Sequence, residues 1–111
     1  MSNCLFCQIA SGDKPSRKIY EDDELFAFHD INPQAPIHIL IIPKKHYETI
    51  EDTPADILGK LMVKAAELAK EAGISAKGYR TVINCREHGG QSVYHLHLHL
   101  LGGRWLHWPP G

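Results

Sequence analysis

Three histidines stand at every second position near the C-terminus, in the run His95-Leu96-His97-Leu98-His99-Leu100-Leu101, and Gly102-Gly103 follows at once. Imidazole can act as nucleophile, proton carrier or metal ligand at working pH, because its ordinary pKa of about 6.5 lies near neutrality. Alternate side chains of a β-strand share a face, so the spacing predicts His95, His97 and His99 on one side and Leu96, Leu98 and Leu100 on the other. A half-buried strand with a wet polar face gives the same alternation without any chemistry. Three imidazoles in register favour the chemical reading, whether as a nucleophilic centre or as ligands of a hydrolytic metal. A second motif, Cys4-Leu5-Phe6-Cys7, has a spacing that suits a tetrahedral metal site once two further ligands join it, or else two reduced, packed cysteines.

These residues need a scaffold, and the chain offers one mostly antiparallel sheet with a covering helix. Residues 3–10 read as a short helix or turn, ended by Ser11-Gly12-Asp13. Residues 17–20 and 25–29 carry β-formers on either side of an acidic turn, which predicts a hairpin. The loop from Asp30 to Pro36 is punctuated by Pro33 and Pro36. Residues 38–43 form an apolar, β-branched run suited to a central strand, and Pro43 stops it in the ladder. Thr53 offers an N-cap, with Pro54 at the first helical position and Asp56 in the first turn. Ile57, Leu58, Leu61, Met62, Ala65, Leu68 and Ala69 then repeat at helical spacing up to a stop at Gly73. Residues 79–84 and 95–101 complete five strands, joined by a loop over 85–92. The order predicts an α+β layer architecture in one domain, residues 1–111.

Composition narrows the function classes. A formal net charge of −1 over 111 residues gives no reason to expect nucleic acid or an anionic membrane as partner. The longest greasy stretch, from Ile37 to Ile42, is broken by His38 and falls far short of the about 20 apolar residues that span a bilayer. The N-terminus lacks the basic and apolar regions of a secretory signal. Three cysteines, with Cys85 left over, fit a reducing compartment better than a disulfide framework, so a cytoplasmic location is expected.

The segment from Gly89 to Tyr94 followed by His-x-His-x-His, with apolar x, resembles the signature of the histidine-triad family. Phe28-His29-Asp30-Ile31, Pro33-Gln34-Ala35-Pro36, His38 through His46 and the ending His107-Trp108-Pro109-Pro110-Gly111 are similar to its Hint branch over nearly the full length. The resemblance implies a homodimer of sheets joined edge to edge, with residues 102–111 a tail contacting the partner. It also implies a purine nucleotide site and hydrolysis of nucleoside phosphoramidates or aminoacyl adenylates without a cofactor for the chemistry. By the same correspondence His97 is the nucleophile, His99 its phosphate-side partner, and His38 a fourth histidine that orients the others. Asp30 would hold the ribose, and Phe6, Ile9, Phe28, His29, Ile31 and Asn84 the rest of the nucleoside. Gly90, Gln91 and Ser92 would meet the phosphate, and Trp108 would pack near a site. Relatives that bind zinc imply Cys4, Cys7, His46 and His95 as a structural Zn2+ set, so His95 belongs either to the proton network or to the metal. The alternatives are a dinucleoside polyphosphate hydrolase or nucleotidyl transferase, and a nucleotide-binding interaction module.

Overall fold

A computed structural model describes residues 3–111. Five strands form one sheet in the order β1-β2-β3-β5-β4. They are β1 (Lys18–Glu21), β2 (Leu25–His29), β3 (Ile37–Pro43), β4 (Tyr79–Val82) and β5 (Leu98–Gly102). Every neighbouring pair is antiparallel, which simplifies the expected mostly antiparallel sheet.

Helix α1 (Leu5–Ser11) lies against one face and α2 (Ala55–Glu71) against the other. The alternation of β3 explains why both are needed. Ile39 and Ile41 join Leu98 and Leu100 under α2, whereas Leu40 and Ile42 join Phe26, Phe28, Phe6 and Ile9 under α1. Leu96, Leu98 and Leu100 are fully buried. Removing such a side chain from water contributes roughly 1.5–3 kcal/mol, so the leucines fix the register of the histidines between them.

The helix starts differ from expectation. Thr53 does not cap α2, because its hydroxyl donates to Thr49 O at 2.8 Å; Pro54 is the cap residue and no side chain closes that end. Thr49 instead caps a short 3-10 turn over Ile50–Asp52, in a reciprocal box with Asp52. Of the predicted helix stripe, Ile57, Leu61, Ala65, Leu68 and Ala69 are buried, Leu58 is half-buried and Met62 is exposed. The loop over 85–92 contains a single turn of helix, α3 (Arg86–Gly89), which the turn-rich composition concealed.

Strand β5 begins at Leu98, three residues later than expected, and runs through Gly102, so the tail starts at Gly103. The ladder with β3 ends at the pair Ile41–Leu98. Beyond it the Leu96 amide donates to Tyr47 O at 2.7 Å, and Pro43 O accepts from the ring of His95. His95 and His97 therefore lie in the segment that leads into β5, outside its ladder. Strand β4 is likewise shorter than predicted, ending at Val82. Among the described residues no helix is long and apolar enough to cross a membrane.

Candidate active site

The histidine row lies on the α1 face. His99 is directly opposite Leu40, which is opposite Phe28, and both belong to the cluster under α1. His38, two residues before Leu40, shares that face. The row is not a wet surface, for His95 is fully buried and His38 and His97 are each only 5% exposed. Ring contacts run through it: Phe6 meets His97 edge-on with centroids 5.0 Å apart, His97 meets His99 at 4.9 Å, and His99 meets His38 at 5.2 Å.

Main-chain partners assign the protons. His97 Nδ1 lies 2.8 Å from His95 O, a carbonyl that can only accept, so the proton sits on Nδ1 and the Nε2 lone pair is left open. His95 Nε2 lies 2.7 Å from Pro43 O and must likewise donate, which turns its Nδ1 lone pair towards the cysteines. His38 is held the opposite way. Its Nδ1 accepts the Gln34 amide at 3.0 Å, so neutral His38 carries its proton on Nε2. That Nε2–H donates to His99 Nδ1 at 2.9 Å, with Asp30 Oδ2 a further 3.4 Å neighbour. His99 must then carry its own proton on Nε2, as a donor.

Burial holds these rings neutral. Desolvation is the largest influence on His38, His95 and His97, and each lies below the ordinary histidine range. His99 is pushed down to about 4, first by burial and then by its neighbours His97 and His38, against the opposing pull of Asp30.

Among the described residues two clusters have metal-ligand composition, Cys4-Cys7-His46-His95 and Asp30-His38-His99. The proton assignment separates them. His95 Nδ1 is 3.3 Å from Cys4 Sγ and 3.5 Å from Cys7 Sγ, and Cys7 Sγ is 3.4 Å from His46 Nδ1. A tetrahedral zinc with bonds of about 2.0–2.3 Å requires ligand–ligand separations of roughly 3.3–3.8 Å, so the first set fits. The bond from His95 Nε2–H to Pro43 O is the outer support that a metal-bound histidine needs. In the second set His38 Nε2 is occupied by a proton, and that cluster forms a hydrogen-bond relay.

The remaining candidates fall into three groups. Phe6, Ile9 and Phe28 are buried beside the row, and Asp30, half-buried, flanks His38. Ile31 and Trp108 are 96% and 81% exposed, Gly90 and Ser92 are exposed, and Asn84 is half-buried just after β4. Two depart from expectation. His29 is in register with Ile39, on the face under α2 and away from the row. Gln91 is buried with its amide already used: Nε2 donates to Glu48 O at 2.6 Å and to Val93 O at 3.2 Å, and Oε1 accepts the Arg86 amide at 2.9 Å. Its side chain thus shapes the loop that carries Ser92, where Arg86 has a φ of 60°. Sequence reasoning missed the main-chain groups of Gln34, Pro43 and His95, which carry no residue-type signal; the prolines around Gln34 were the available hint.

The HIT domain family matches residues 11–106. The chain is 47% identical to a protein named adenylylsulfatase HINT1 from Arabidopsis thaliana, covering 99% of this chain and 78% of that one. It is also 47% identical to a 14 kDa zinc-binding protein from Brassica juncea, over 96% of this chain and 98% of that one. The crystal structure of a HIT family hydrolase from Legionella pneumophila Philadelphia 1 is 54% identical, covers 98% of this chain and 100% of that chain, and has a TM-score of 0.95.

Proposed function

This chain belongs to the HIT family, and from that membership and the proton positions of its histidines we propose that it hydrolyses purine nucleoside phosphoramidates, and aminoacyl adenylates as a related substrate, through a nucleotidyl group carried on His97. The observation that carries the proposal is the bond from His97 Nδ1 to His95 O, which leaves Nε2 an unprotonated lone pair beside a donor on His99. A neutral imidazole attacks phosphorus without first losing a proton. In the first step the Nε2–phosphorus bond forms, the phosphorus–nitrogen bond breaks, and the departing amine takes up a proton. In the second, water attacks phosphorus, loses a proton, and returns the bonding pair to Nε2. Donors aimed beforehand at the phosphoryl oxygens, His99 Nε2–H foremost, stabilise the charge that grows there.

Asp30 would accept hydrogen bonds from the ribose, and Phe6, Ile9 and Phe28 would form the apolar floor under the nucleoside, with Ile31 and Trp108 closing over it. Asn84, Gly90 and Ser92 would complete the polar side. Cys4, Cys7, His46 and His95 would hold a structural zinc, since four protein ligands leave no position open to water. Zinc bound there would fix His95, whose carbonyl orients the nucleophile. A reducing, cytoplasmic setting keeps both thiols available for it. A second copy would add along β4, a sheet edge, with the tail from Gly103 to Gly111 reaching across.

The relative named adenylylsulfatase favours a second reading, in which adenylyl sulfate enters the same first step and sulfate leaves in place of the amine. Steady-state kinetics on adenosine and guanosine phosphoramidates, adenylyl sulfate and a diadenosine polyphosphate separate the possibilities. The proposal expects kcat/KM for a phosphoramidate to exceed the others at least about tenfold, a transition-state difference of about 1.4 kcal/mol. Preference for either other class would overturn it.

A further inference from the structure

The proton on His99 is set by a chain of contacts that starts outside the site. Gly103, just past the end of β5, has a φ of 93°, and a Cβ there would stand 2.9 Å from Pro36 Cβ. The backbone therefore passes flush against the loop over 33–36. Arg104 follows, and its guanidinium spans two carbonyls: Nη2 donates to Gln34 O at 2.9 Å and Nη1 to Trp105 O at 2.8 Å. Gln34 lies between Pro33 and Ala35-Pro36, where proline rings restrict the torsions on both sides. Arg104 holds the carbonyl of the Gln34–Ala35 peptide, and the Gln34 amide, one peptide earlier along the same stretch of main chain, is the donor to His38 Nδ1.

We propose that Arg104 is a positioning residue for the reaction, acting through the Gln34 main chain on the proton positions of His38 and His99. This rests on the reading of His99 as the phosphate-side donor. With the Gln34 amide in place, His38 keeps its proton on Nε2 and His99 presents Nε2–H. If the exposed loop turns that amide to solvent, His38 Nδ1 can take the proton. His38 Nε2 then faces His99 as an acceptor, the His99 proton moves to Nδ1, and the ring offers a lone pair to the phosphoryl oxygen where it had offered a hydrogen. Asp30, 3.4 Å from His38 Nε2, opposes the switch, so the loss is partial.

The test reads imidazole nitrogens directly, by 15N NMR of the ligand-free full chain near pH 7.5. Wild-type protein should show both His38 and His99 protonated on Nε2. Arg104→Ala should give mixed tautomers at both rings and lower kcat about 5- to 10-fold with KM little changed, the loss expected for one net hydrogen bond. Arg104→Lys should recover part of each. Arg80→Ala removes a different tail tether, the 2.9 Å bond from Nη2 to His107 O, and should leave the His38 and His99 proton positions as in wild type. Wild-type nitrogen spectra in Arg104→Ala would overturn the proposal, and so would equal disturbance by Arg80→Ala, which would make it a matter of tail docking. Because the spectra need no substrate, failure of the phosphoramidase reading would be seen separately, in the kinetics alone.

Discussion

Two clusters flank His97, each built around a pair of histidines and each to an opposite end. On one side His95 meets a carbonyl, Pro43 O, donates a hydrogen bond to it, and turns a lone pair towards Cys4 and Cys7. On the other His38 meets an amide, that of Gln34, accepts a hydrogen bond from it, and turns an N–H towards His99. The first arrangement suits a cation and the second suits an anion. The main-chain group behind each ring decides which, so a census of histidines cannot assign their roles.

His97, the proposed nucleophile between the clusters, should show the largest effect. His97→Ala is expected to cut turnover of an adenosine phosphoramidate by at least about 10⁴-fold, the scale of losing a nucleophile, while calorimetry still detects nucleotide binding. Retained turnover would dissolve the distinction between His97 and its neighbours.

Breaking the relay should cost less. His38→Ala removes the donor to His99 and should lower kcat about 10- to 100-fold, as loss of a buried, charge-orienting hydrogen bond does. The cation side should answer in stability before activity. Cys4→Ala is expected to reduce bound zinc from near one equivalent to under about a tenth and to lower Tm by about 5–10 °C, with His38→Ala leaving metal content intact. Equal metal loss in both variants would erase the comparison.

A further effect is in pH. Folded His99 sits at about 4, pushed there by burial and by His97 and His38, whereas the unfolded residue titrates at about 6.5. The unfolded chain therefore binds more protons in this window, and the contribution of His99 to stability is complete above 6.5 and is lost as pH falls towards 4. His38 is shifted in the same direction by burial. Denaturant titrations between pH 7.5 and 4.5 should show stability falling with acid, and more shallowly in His38→Ala.

Much of this was legible in the chain. The alternation of leucine and histidine placed the row on one face, the apolar periodicity of residues 57–69 located α2, and Cys-x-x-Cys raised the metal question. The departures share a cause in main-chain hydrogen bonding. Thr53 looked like a cap but spends its hydroxyl on Thr49 O, and Gln91 looked like a phosphate contact but is fully engaged by the backbone. The expected strand over 95–101 starts late because Pro43 and Tyr47 take up the groups that would have extended the ladder. Residue type and spacing show where an imidazole sits, and only the fold shows which nitrogen carries its proton.

Catalysis by the proposed route requires a bond between His97 Nε2 and phosphorus. Rapid acid-free quenching of a stoichiometric mixture with an adenosine phosphoramidate, followed by intact and peptide mass spectrometry, addresses it most directly. One adenylyl group per chain is expected on His97, formed faster than steady-state turnover and absent in His97→Ala. Turnover with no adduct at any time, or an adduct on His95 or His99, would contradict it.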